Sequence, residues 1–76
     1  MVEVLKTDLG SYIKNLRIAK EMNMVQFSKE SGVSVAQISR IESGLRKVPR
    51  PETLKHLSEA LDVPHEDLLR AAGYLN

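Results

Sequence analysis

Residues 23–44 read NMVQFSKESGVSVAQISRIESG, and this stretch decides the fold. Phe27 and the small Ser28 and Ser31 recur at helical spacing before Gly32-Val33-Ser34, and Ile38 and Ile41 do so after it. Each segment therefore offers a narrow stripe to bury. Helices of two or three turns are marginal alone and hold their shape only by packing on neighbours. Gly32 suits the left-handed residue that closes the first segment, a conformation that penalises any side chain. Ser34 brings an oxygen to the exposed amides of the second. Val33, inside the short connection, is expected to point into the angle between the helices and lock it. Two helices near 24–31 and 35–43, held at a fixed angle, follow.

Outward from this pair, Asp8 reads as the cap of a first helix running to about Met22, with Leu9, Ile13, Leu16 and Ala19 on one face and residues 1–7 as a lead-in. Asn23 caps the second helix and Gly44 stops the third. Leu45-Arg46-Lys47-Val48-Pro49-Arg50 is too rich in cations and proline for helix. Pro51 suits the first turn of a fourth helix that carries Leu54, Leu57, Ser58 and Leu61 inward. Asp62-Val63-Pro64 breaks it. A fifth runs from about His65 to Ala72, burying Leu68 and Ala72, and Gly73 ends it, leaving 73–76 as a tail. No segment alternates as a strand would. The expected fold is all-α, a compact five-helix bundle, with residues 1–76 as a single domain.

Seventy-six residues allow one small core, and there is no cysteine to staple it. That excludes disulfides and thiolate metal sites and fits a reducing compartment. No apolar run approaches membrane-spanning length, and the N-terminus, with Glu3 and Asp8, does not read as a signal peptide. The cytoplasm is expected. The net charge is only +1, but residues 1–50 hold nine Lys/Arg against five Asp/Glu, and residues 51–76 hold two against five. The halves thus carry +4 and −3. This polarity would orient the chain on a polyanion and leave the acidic end for another role; a chance asymmetry of a solvated surface is the plainer alternative.

Leu9-Gly10, Leu16-Arg17, Phe27, Gly32-Val33-Ser34, Ile38-Ser39, Ile41-Glu42, Gly44, Pro49, Leu54, Leu61, Val63 and Leu68-Leu69 together resemble the phage repressor and Cro-type (XRE) helix-turn-helix family. The likeness covers roughly residues 8–70, and the run to Pro49 is most similar to SinR-like DNA-binding domains. It implies a bundle of the lambda-repressor-like type, with the 35–43 helix in the major groove of double-stranded DNA.

In such proteins the exposed N-terminal turn of the second helix of the motif meets base edges. Ser34, Val35, Ala36, Gln37, Ser39 and Arg40 would be exposed there, and Val35, Ala36, Gln37 and Arg40 match the family's base-reading positions. Gln bonds adenine bidentately, Arg bonds guanine O6 and N7, and Ala or Val touches a thymine methyl. An ordinary exposed valine remains open for Val35. Backbone contacts are expected from Asn23, Met24, Gln26, Ser34, Ser39, Ser43, Arg46, Lys47 and Arg50, through helix N-termini and the basic loop. At Met24 the chain departs from the family, where Gln is frequent and contacts the backbone; Gln26 is the substitute. Arg50 corresponds to a residue that approaches the minor groove in some relatives, or is a solvated loop charge.

The family also pairs Arg17 with Glu42 as a partly buried ion pair that fixes the recognition helix. One such domain buries little surface, so homodimers on operators with two half-sites are the family's habit. Leu57, Leu61, Val63, Leu69, Tyr74 and Leu75 are the expected dimer surface, the alternative being that Tyr74 and Leu75 fold back onto the core. The function expected is a sequence-specific transcriptional regulator, most simply a repressor. A second reading is a protein-interaction module, such as an antitoxin bound to a toxin or other protein antagonist, or the N-terminal domain of a longer regulator. His56 and His65 lack a metal-ligand spacing, and no phosphate-binding glycine loop is present, so no enzyme, metal or cofactor is expected.

Overall fold

Local chemistry places most helix boundaries. The computed structural model describes residues 9–75, with five α-helices: α1 (Leu9–Ala19), α2 (Met24–Ser31), α3 (Val35–Ser43), α4 (Pro51–Leu61) and α5 (His65–Ala71). Asp8 as a cap, the lead-in of residues 1–7 and the end of the tail at Asn76 lie outside the described residues. At the start of α2, Asn23 Oδ1 accepts from the Gln26 amide and Gln26 Oε1 accepts from the Asn23 amide, a reciprocal capping box. At the start of α3, Ser34 Oγ accepts from the Gln37 amide at 3.2 Å. Between them Gly32 is left-handed at φ 76°, and the Val33 amide donates to the buried Ser31 Oγ at 3.1 Å. The connection is therefore pinned at each of its residues, and buried Val33 fills the angle.

One core unites the helices: Leu9, Ile13, Phe27, Val33, Ile38, Ile41, Leu54, Leu57, Leu61 and Leu68 are all buried. α3 packs on α1 and α2, while α4 packs on α2 and α5. α3 is thus held from behind by two helices and keeps its opposite face open. Burial of each large aliphatic or aromatic side chain stabilises by about 1.5–3 kcal/mol, which is what lets helices this short persist.

Two expectations about α1 need correction. It ends at Ala19, not near Met22, because Glu21 turns left-handed at φ 58° and the amides of Glu21 and Met22 bond back to the carbonyls of Ile18 and Arg17. Ala19 is exposed rather than inward. It lies roughly 120° around the helix from Ile13 at 100° per residue, off the buried stripe. α5 ends one residue early, at Ala71; Leu68 is buried as expected and Ala72 only half so.

Gly10 sets the distance between α1 and α3. A Cβ at this position would lie 2.5 Å from the Ile41 carbonyl oxygen and 2.7 Å from that of Glu42. Only a glycine allows so close an approach.

Candidate nucleic-acid interface

The helical period divides α3. Ile38 and Ile41 face the core, while Val35, Ala36, Gln37, Ser39 and Arg40 are exposed. The four residues expected to read bases thus share the open side of one rigid helix. A hydroxyl has one donor and two acceptor sites, so Ser34, whose Oγ accepts the Gln37 amide, still has its own proton to offer.

Behind that face, Arg17 on α1 grips Glu42 on α3. Nε donates to Oε2 at 2.8 Å and Nη2 to Oε1 at 3.0 Å, while Nη1 donates to the Met22 carbonyl at 2.8 Å. The two side chains are only 10% and 3% exposed. The hydrogen bonds to Glu42 raise the guanidinium pKa above its ordinary value despite the opposing effect of burial. The third bond depends on the turn at Glu21, which brings the Met22 carbonyl under the guanidinium. Met24 also belongs to this inner layer, since its half-buried side chain packs on the core. Of Met24 only the main-chain amide at the start of α2 remains for a phosphate, beside that of Val25. The acceptor atoms of Asn23 and Gln26 are spent on the capping box, which leaves their amide NH2 groups as the donors available from these exposed residues.

After α3 the chain turns sharply. Exposed Ser43 Oγ donates to the Arg40 carbonyl at 3.2 Å. The Arg46 amide reaches the same carbonyl at 2.9 Å. These bonds fold the loop against α3. A shallow cleft of about 290 Å³ results, lined by Gln37, Arg40, Arg46, Arg50, Glu52 and Thr53 over Ile41 and Pro49. Three guanidinium-bearing residues therefore border one concavity beside the exposed face of α3, and exposed Lys47 lies in the same loop. Planar forks of this kind recognise phosphate oxygens, and arginines also bond guanine.

The residues expected at a dimer surface separate into two groups. Leu57 and Leu61 are 0% and 3% exposed and belong to the core, because α4 packs against both α2 and α5 and both of its inner leucines are consumed there. Val63 and Leu69 are half-buried against that core. Tyr74 and Leu75 are 43% and 38% exposed, and the Tyr74 hydroxyl folds back to the Pro49 carbonyl at 2.8 Å. That bond, the Gly10 contact and the Met22 carbonyl bond escaped sequence reasoning. Only Gly10, next to Leu9 at the head of the amphipathic run, had a local signal.

His56 lies 3.9 Å from Glu59 on the surface of α4, and His65 Nε2 lies 3.1 Å from the Pro51 carbonyl. Among the described residues no three His, Cys, Asp or Glu cluster as metal ligands do, and no helix is long and apolar enough to cross a membrane.

A family model described as helix-turn-helix matches residues 13–68. The chain is similar to the HTH-type transcriptional repressor RghR of Bacillus subtilis, with 47% identity over 66 residues that cover 87% of this chain and 49% of that protein. It is 42% identical to the HTH-type transcriptional regulator RghRB of the same organism, over 87% of this chain and 48% of the relative. An HTH-type transcriptional regulator of Mycobacterium tuberculosis is 39% identical over 87% of this chain and 46% of its own length. The chain spans about half the length of these curated relatives.

Proposed function

This chain belongs to the helix-turn-helix family, and from that premise we propose that it is a sequence-specific DNA-binding transcriptional regulator, acting as a homodimer on an operator of two half-sites. The observation that carries this reading is the open face of α3. Val35, Ala36, Gln37 and Arg40 project from a helix whose back is fixed by the core and by Arg17. Base readout needs such rigidity, since a bidentate contact is lost when its donor pair is displaced.

In this reading Gln37 and Arg40 select bases, and Val35 and Ala36 meet thymine methyls. Arg46, Lys47 and Arg50, with the amides at the starts of α2 and α3, hold phosphates. Repression follows the function named for the Bacillus subtilis relative, by occlusion of promoter DNA. The dimer surface takes Val63, Leu69, Tyr74 and Leu75, without the two leucines that the core claims. We assign the protein no catalytic step and place it in the cytoplasm with the DNA it reads.

Selection of duplexes from a random pool tests the assignment. The wild-type chain should enrich one palindromic sequence, and Gln37→Ala and Arg40→Ala should each relax the preference at a different base position, by about 1–3 kcal/mol of discrimination. Unchanged base preference in both variants would sink it.

A further inference from the structure

We propose that Tyr74 is a positioning residue for the DNA-facing loop: its hydroxyl holds the Pro49 carbonyl and thereby sets the direction from which Arg50 reaches the duplex. This rests on the DNA-binding reading above. The contact begins with the end of α5. Gly73 is left-handed at φ 93°, its amide bonds to the Arg70 carbonyl at 3.1 Å, and the Tyr74 amide bonds to the Leu69 carbonyl at 2.9 Å. Such paired bonds reverse the chain at a helix end. Tyr74 is thereby returned toward the bundle, and its Oη donates to the Pro49 oxygen at 2.8 Å across 25 positions of sequence.

The Pro49 carbonyl is a consequential place to hold. It shares one planar peptide unit with the amide of Arg50, so fixing the oxygen fixes the plane from which Arg50 departs. On the other side Pro51 confines Arg50 to extended backbone, here φ −63° and ψ 149°. Arg50 is thus constrained from both neighbours. Its side chain makes no cap bond to α4 although it occupies the cap position, and it borders the cleft shared with Arg40 and Arg46. The buried ring of Pro49 is the floor of that cleft. A residue beyond the end of α5 therefore touches the loop peptide that aims a phosphate-binding or minor-groove arginine.

The test uses the duplex that the wild-type chain selects from a random pool, with Tyr74→Phe, Arg50→Ala and the double variant, each as the full chain. Tyr74→Phe keeps the ring and removes one hydrogen bond, and should weaken binding about fivefold. The double variant should bind no more weakly than Arg50→Ala alone, because the hydroxyl acts through Arg50. Without DNA, the amide resonances of Arg46, Lys47 and Arg50 should move in Tyr74→Phe while those of α1 and α2 stay. Wild-type affinity in Tyr74→Phe, multiplied losses in the double variant, or still loop resonances would each overturn the role of Tyr74 alone. Loss of helical circular dichroism in Tyr74→Phe would make it an anchor of the fold instead. If the wild-type chain selects no duplex at all, the DNA-binding reading falls and this one with it.

Discussion

Arg17 and Glu42 meet at two points, Nε to Oε2 at 2.8 Å and Nη2 to Oε1 at 3.0 Å, and so join the first helix to the helix that carries Gln37 and Arg40. The pair is nearly excluded from water. Removing one partner leaves a buried charge without compensation, so Arg17→Met should destabilise the domain by about 3 kcal/mol or more. The loss of the Met22 carbonyl bond adds to it. Thermal unfolding checks this, with a drop in Tm of at least roughly 10 °C for so small a domain. Weakened DNA binding at an unchanged Tm would mean that Arg17 touches DNA and is no brace.

Gly10→Ala opposes two effects of known size. In an isolated helix the change would stabilise by about 1 kcal/mol. Here the new Cβ would meet the carbonyl oxygens of Ile41 and Glu42 at 2.5 and 2.7 Å, and these are backbone atoms that cannot swing aside. Overpacking of this kind costs typically 1–3 kcal/mol, so the net change should be destabilising. Urea unfolding measures the sign. A stabilised Gly10→Ala would show that α1 can step away from α3 at little cost.

These two contacts also mark how far the residues themselves disclose the fold. The bounds of α2 and α3 were legible because Asn23, Gly32, Ser34 and Gly44 punctuate them locally, each through a cap or a left-handed turn. The end of α1 was not, since Glu21 turns left-handed without being glycine, as Asp62 does after α4. Nonlocal contacts accompany both turns. Lys20 pairs with Asp62 across the bundle, and the Met22 carbonyl receives Arg17. The exposed face of α3 followed from its period, while Leu57 and Leu61, read both as inward residues and as dimer surface, are core, because helical spacing does not say how many neighbours a helix has. Tyr74 and Pro49 carry no mutual signal at all, being brought together only by the packing of α5.

Ser34 caps α3, and a single substitution can separate that cap from the phosphate contact proposed at the same helix start. Ser34→Ala removes the cap of α3 and should cost about 1 kcal/mol of stability. Ser34→Asp retains a capping oxygen, and its charge suits a helix start. Stability should therefore stay near wild type, while DNA affinity falls because a carboxylate would face phosphate. Denaturation and binding titrations on both variants check the split. Undiminished DNA binding by a folded Ser34→Asp would place the start of α3 away from the duplex.

Lys47 and Gln37 should differ in how their loss depends on salt and sequence. If Arg46, Lys47 and Arg50 of both copies neutralise phosphates, the logarithm of affinity should fall with that of salt at a slope of about −5. Lys47→Ala should weaken every duplex alike and flatten the slope by about 1 per contact removed. Gln37→Ala should leave the slope alone and change which duplexes are preferred. Fluorescence anisotropy over a salt series on selected and scrambled duplexes separates the two. Equal slopes for wild type and Lys47→Ala would remove Lys47 from the interface.

Burial decides which of the C-terminal leucines can take part in self-association. Leu57 is fully enclosed, so Leu57→Ala should cost about 2–5 kcal/mol through lost burial and a cavity, at any protein concentration. Leu75 is 38% exposed, and Leu75→Glu should leave the monomer's stability within about 0.5 kcal/mol. Its effect should instead fall on assembly, because an unpaired carboxylate buried between two copies is strongly penalised. Sedimentation with the selected palindromic duplex should find two wild-type chains bound and one Leu75→Glu chain. Two Leu75→Glu chains bound with wild-type affinity would move the dimer contact away from the end of α5, and a single wild-type chain on a palindrome would remove the dimer altogether.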